Sequence, residues 1–299
     1  MKWLFPGVLY LLLSYGHVLS GPRAGFYLPD SVQEASLTYR NFNSLIVLPV
    51  TINDTMHLNL ILDTGCRNLV LFGDKFQKYF RVEKGREIKF SGLGEGNPLN
   101  GMLSLGNKVA INEVLGEKIP VIIVPQRNLF KKKDHIDGII GYDIFIRFEI
   151  ELNPVVNLIK FRPAMNAIIP EGFTQVPLRI EDARPLLNSV VLLEKNEFQK
   201  LDIMIDTGSS LGLLLKGTPA PQNEIGGQAE LIGKGLNGLI EGAEVGEGKV
   251  LLEDFEMNDK TVHIIHSRWH TYGSIGMQVL NEYAIVLNYC KAYVCFKKV

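Results

Sequence analysis

An all-β fold in two similar halves is what this sequence predicts, and three observations carry the expectation. Short apolar runs alternate with polar residues and are punctuated by Gly, Asn, Asp and Pro, the habit of strands and tight turns, while helical spacing is sparse. The triplet Asp-Thr-Gly occurs twice, at residues 63–65 and 206–208, each time at the end of one apolar run and just before another. Around these triplets, further landmarks recur in the same order.

The elements follow in chain order. Lys2 precedes a mostly apolar run from Trp3 to Leu19, broken by Pro6, Gly7, Ser14, Gly16 and His17. This is the layout of a secretory signal over residues 1–20, with Val18 and Ser20 suited to the −3 and −1 positions of a cleavage site. The expected location is therefore exported, periplasmic or secreted. An uncleaved membrane anchor is the alternative, although the run is just short of a comfortable span. A polar segment to about residue 35 leads into a first lobe over residues 36–163. A linker with Pro163 and Pro170 precedes a second lobe over residues 173–299.

Within the first lobe Leu58, Leu60 and Leu62 alternate with Asn59, Ile61 and Asp63, and Leu69, Val70, Leu71 and Phe72 follow the triplet. The second lobe repeats this with Leu201, Ile203 and Ile205 before Asp206, then Leu211 and residues 213–215. A period of two is a strand signal, and the glycine after it marks a tight loop that presents the aspartate at a strand end. Each lobe then carries a glycine-studded stretch, residues 92–101 and 233–242, and later a Gly-x-Ile-Gly segment, residues 138–141 and 273–276, running on to Leu-Asn. Triplets, glycine-rich stretches and late segments recur at offsets of 143, 141 and 135, the mark of an internal duplication. Short helical turns are expected after Gly141 and Gly276.

These residues resemble the aspartic peptidases of the pepsin and retropepsin kind, most closely the single-chain, two-lobed bacterial type. The resemblance implies two homologous retropepsin-like β-barrel lobes related by a pseudo-twofold axis, with an active site between them. It implies a catalytic pair, Asp63 and Asp206, and loop support from Thr64, Gly65, Thr207, Gly208 and Ser209. The threonines would cross-link the two loops, and Ser209 would donate to the outer oxygen of Asp206. The glycine-rich stretches look like two flaps, with Leu93, Gly94, Pro98, Leu99, Gly235, Leu236, Leu239 and Ile240 expected as flap or substrate contacts. Two positions depart from the family pattern. Asp143 keeps an aspartate common after the late Gly-x, whereas Gln278 replaces it, and Cys66 stands where Ser209 stands in the second copy.

Two neighbouring carboxylates cannot both ionise freely, so the pair would hold one proton over a mildly acidic range. The ionised partner would activate water and the protonated one polarise a peptide carbonyl. The expected function is an aspartic endopeptidase; the alternative is a catalytically silent peptide-binding module that retains the cleft. Because Cys66 is a weaker donor than serine, the shared-proton window is expected at higher pH than with two hydroxyls.

Composition bounds the rest. At 299 residues and 46% hydrophobic, the chain can bury substantial cores, and its formal net charge of −1 gives no electrostatic reason to expect nucleic acid. The expected partner is a peptide or protein substrate, with no stable membrane partner after signal cleavage. A monomer is expected because both lobes lie in one chain. No cofactor and no metal are expected: His263 and His266 would point to opposite faces of a strand, and His270 adds no ligand spacing. Residues 233–238 match a dinucleotide-binding glycine spacing, but no helix pattern follows. Residues 131–133, three lysines, read as a solvated loop. Cys290 and Cys295 flank the turn of a terminal hairpin and are candidates for a disulfide, which leaves Cys66 over.

Overall fold

The computed structural model describes residues 23–94, 96–126, 130–193, 198–217, 230–265 and 272–299. The signal expected over residues 1–20, together with His266 and His270, lies outside them. The fold is all-β and two-lobed. Each lobe is a sheet closed on itself, and the two circuits of pairing are the same.

In the first lobe Met56–Leu62 runs antiparallel to Leu45–Ile52 and parallel to Gly138–Ile140, which lies antiparallel to Leu69–Phe72. Leu69–Phe72 then pairs parallel with Val114–Val124, and Leu99–Ile111 joins that strand back to Leu45–Ile52. In the second lobe Phe198–Asp206, Arg184–Leu193, Gly273–Gly276, Leu213–Lys216, Phe255–Ile265 and Gly238–Leu252 take the corresponding places with the same orientations. Closure leaves each barrel's central strands without free edges. The apolar alternation read from the sequence fills them: Leu60, Leu62, Leu69, Leu71, Ile203, Ile205 and Leu213 are fully buried.

A third sheet of six strands joins the lobes, drawing three strands from each half. At its centre Phe148–Asn153 runs antiparallel to Tyr283–Asn288, pairing Ile150 with Leu287 and Leu152 with Ile285. The offset of 135 turns one of those pairs into the other, so a local twofold passes through the seam. One hydrophobic core runs through both lobes and this sheet. The two short helices fall where expected, at Tyr142–Phe145 and Met277–Leu280. Among the described residues no helix is long and apolar enough to cross a membrane.

Two expectations are corrected. The segment before residue 35 is not merely polar: Gly25–Tyr27 adds a strand to the first barrel beside Val114–Val124, and Phe26 is buried there. The candidate disulfide is absent, and all three cysteines are free. The hairpin register pairs Cys295 with Val286, whereas Cys290 sits in the turn and its thiol donates to the Ile146 carbonyl at 2.9 Å.

Candidate active site

Each Asp-Thr-Gly loop ends a strand that lies parallel to the late Gly-x-Ile-Gly segment. The Asp63 amide donates to the Ile140 carbonyl at 2.9 Å, and Asp206 stands in register with Gly276. The chain after each triplet then crosses that segment closely enough to exclude a side chain. A Cβ on Gly141 would lie 1.9 Å from the Cys66 carbonyl oxygen, and one on Gly276 would lie 2.2 Å from the Leu211 oxygen. Any larger residue would push the loop off its strand, which explains the glycines at matched positions.

The two loops are locked to each other through their threonines, which are fully buried. Thr64 Oγ1 donates to the Ile205 carbonyl at 2.6 Å and accepts from the Thr207 amide at 2.9 Å. Reciprocally, Thr207 Oγ1 donates to the Leu62 carbonyl at 2.9 Å and accepts from the Thr64 amide at 3.0 Å. This arrangement brings the aspartates together. Oδ1 of Asp63 accepts from the Gly65 amide at 2.7 Å, and Oδ1 of Asp206 accepts from the Gly208 amide at 3.0 Å. A Cβ on Gly65 would lie 3.1 Å from one of these oxygens and 3.4 Å from the other, so both flank a single point. A Cβ on Gly208 would collide with the Asp63 carboxylate at 2.2 Å.

Burial pushes both carboxyls well above the ordinary carboxylate range, and the charge on Asp63 raises Asp206 further. Backbone amides and the Arg184 guanidinium act in the opposite direction on both, without cancelling the effect of burial. Beneath the first loop, burial also raises Asp143 to about 6, while a hydrogen bond from the Asn68 side chain opposes the shift. Its counterpart Gln278 is exposed.

Ser209 and Cys66 behave differently from expectation. Ser209 Oγ accepts from the Leu211 amide at 3.3 Å, and the residue supports Asp206 through its backbone amide. The Cys66 thiol donates to the Asn68 carbonyl at 3.2 Å rather than to either carboxylate. In both cases the side chain's hydrogen bond is to the backbone of the turn after the triplet.

A cleft of about 1010 Å³ lies over the pair, bounded by both flaps. Leu93, Gly235, Leu236 and Ile240 line it, as do Lys131 and Lys133 from the loop read as solvated. Gly94 sits at the flap tip with φ +114°, packed against the backbone of Asn237 and Gly238. Leu99 packs against the core, Pro98 is half-buried, and Leu239 is 53% exposed because strand alternation turns it outward while Ile240 turns in.

The flap tips are fastened together by a residue that sequence reasoning passed over. Asn237 is buried, and its backbone accepts from the Gly96 amide at 2.6 Å and donates to the Leu93 carbonyl at 2.9 Å. Its side chain accepts from the Gly92 amide at 2.5 Å and donates to the Asn97 carbonyl at 2.7 Å. By the offset of 141 its counterpart is Gly96, where a Cβ would stand 2.3 Å from the Asn237 oxygen. Only one flap of the two can carry the asparagine.

This all-β, two-lobed architecture with paired loops at the lobe junction is a pepsin-like fold. Among solved structures, the aspartic proteinase from Irpex lacteus is similar to it, with a TM-score of 0.58 and 12% sequence identity over 89% of this chain and 97% of that one. No protein-family model matches the sequence, and no curated protein matches it either.

Proposed function

We propose that the protein is an aspartic endopeptidase that hydrolyses peptide bonds with a water activated by Asp63 and Asp206. The observation that carries this reading is the threonine-locked pair of Asp-Thr-Gly loops, with one oxygen from each aspartate converging beneath two flaps. The raised pKa values of both groups support a single proton shared by the pair, with a titration that belongs to both. The ionised carboxylate takes a proton from water as its oxygen attacks the scissile carbonyl carbon. The protonated one donates to the developing oxyanion, and collapse of the tetrahedral adduct delivers a proton to the leaving amine. No covalent enzyme intermediate forms. An extended peptide lies under the flaps, held by backbone hydrogen bonds and selected by side-chain pockets.

The same reading takes residues 36–163 and 173–299 as duplicated lobes of a monomer that needs no cofactor or metal and is exported after loss of residues 1–20. The shared circuit of strand pairings supports the duplication.

Hydrolysis of unfolded casein between pH 3 and 7 tests the activity. Asp63→Asn and Asp206→Asn should each abolish it, with the double variant little worse than either. Substantial hydrolysis by one single variant refutes the two-aspartate site. Binding of casein peptides without cleavage by the unaltered protein favours the silent peptide-binding module instead. A statine-type inhibitor, whose hydroxyl mimics the tetrahedral adduct, should raise the unfolding temperature.

A further inference from the structure

The two halves depart from each other at two matched positions facing the cleft. Tight turns with left-handed backbone at Asn43 and Ser44 (φ 48° and 69°) and at Asp182 and Ala183 (φ 49° and 67°) precede corresponding strands. Leu45 and Arg184 are therefore counterparts. Arg67 and Ser210 are likewise counterparts, each four residues beyond its aspartate. All four line the cleft. One set of matched positions is thus neutral, with Leu45 and Ser210, whereas the other carries two guanidinium groups.

Those guanidiniums are joined but not consumed. Asp182 bridges them, one carboxylate oxygen accepting from Arg67 and the other from Arg184 Nη1 at 2.8 Å. Two cations on one anion leave a net positive charge. Each guanidinium has five N–H groups, and each makes hydrogen bonds through one nitrogen to Asp182 among the described residues. Their side chains remain 58% and 36% exposed, so the remaining donors face solvent in the cleft. Arg184 is also near enough to act electrostatically on both Asp63 and Asp206.

The rest of the lining has the same sign. Lys89, Lys131 and Lys133 add three cations beside Lys234, and among the described residues of the lining the one further carboxylate outside the pair, Asp134, accepts from the Lys131 amide at 2.7 Å. The whole chain has 31 basic and 32 acidic side chains, so the positive charge is concentrated here rather than inherited from composition. A concave site lined by one sign of charge attracts ligands of the other and orients them.

We infer that the cleft selects peptides with an acidic side chain, Glu or Asp, whose carboxylate docks on Arg184 with Arg67 beside it. This rests on the peptidase reading and names the substrate class for that same site. A planar guanidinium suits a carboxylate better than a lysine would, because two parallel N–H groups can engage both oxygens.

The test uses peptides acetylated and amidated at their ends, built on an apolar scissile pair with one Glu walked through three positions on either side. Each has a Gln twin. At one or more registers the Glu peptide should exceed its twin about tenfold in kcat/KM at low ionic strength, chiefly through KM. That ratio should shrink in 0.5 M salt, approach one in Arg184→Leu and survive in part in Arg184→Lys. Equal rates for Glu and Gln at every register overturn the inference, as does a ratio that Arg184→Leu leaves intact. A preference seen solely when a Gln peptide carries a free C-terminus also overturns it, since the carboxylate then belongs to the chain end. If no peptide is cleaved, the peptidase reading fails separately, and the Glu/Gln affinity ratio by fluorescence polarisation decides the inference with the same criteria.

Discussion

Asn237→Ala should open the cleft without unfolding either barrel. The substitution removes the two short side-chain hydrogen bonds to Gly92 and Asn97 and a longer one to Gly96 at 3.4 Å, and leaves the two backbone bonds between the tips in place. With about 1 kcal/mol net for each of the two short bonds, the closed state loses about 2 kcal/mol. That is a shift of about thirtyfold in the ratio of closed to open flaps. The Gly96 amide is the reporter, because its acceptor, the Asn237 carbonyl, survives the substitution. Hydrogen exchange at Gly96 should quicken by about thirtyfold, while exchange in the barrel strands stays as it was. Substrate KM should rise, since a bound peptide must then be enclosed by flaps that no longer favour contact. If the Gly92 amide alone loses protection and Gly96 is unchanged, the tips do not part as a unit and the asparagine is a local brace.

Three other outcomes follow from the same geometry. Thr64→Val leaves the Thr207 amide and the Ile205 carbonyl buried without partners and should lower stability by about 2–4 kcal/mol in denaturant titration, with activity falling as the loops separate; a loss below about 0.5 kcal/mol would mean the cross-link contributes little. Both aspartates titrate higher folded than unfolded, so their contribution to stability is full below about pH 4 and is lost as pH rises toward neutrality. Asp206→Asn should flatten that decline, and parallel curves of unfolding temperature against pH would count against a buried, proton-sharing pair. Cys66→Ser should leave the acidic limb of kcat/KM in place, because the group at that position donates to Asn68 and not to Asp63; a downward shift would put the side chain back against the carboxylate.

The loops were legible in the sequence because their chemistry is local. A period of two fixes which strand face is buried, and Asp-Thr-Gly at the strand end fixes the turn; the pairing of Asp63 with Asp206 and the cross-link through Thr64 and Thr207 came from the family resemblance. The flaps were legible as hairpins but not in their facing: Leu239 and Ile240 are equally apolar, and register alone decides which one meets the cleft. Ser209 and Cys66 were misread because a hydroxyl or thiol near a carboxylate also has backbone carbonyls and amides within reach. Arg184 and Asn237 were passed over because nothing in their neighbourhood marks them. Their meaning comes from contacts across the lobe boundary, Arg67 with Asp182 and Asn237 with Gly92, between residues more than a hundred positions apart. Extending the repeat alignment to the hairpin turns would have exposed the mismatch of Leu45 with Arg184, but not its geometry.

The unequal tips also bear on direction. A peptide reads differently from its amino and carboxyl ends, whereas a site with true twofold symmetry presents the same face to both and accepts either orientation equally. With asparagine on one flap and glycine on the other, the roof over the two aspartates has a left and a right. Two identical chains could not build such a roof, because the asparagine that completes it would collide with its own copy. On the proposed peptidase reading, joining both halves in one polypeptide would therefore allow a strand crossing the cleft to be held in one sense, and would give each aspartate a fixed side of the bond above it.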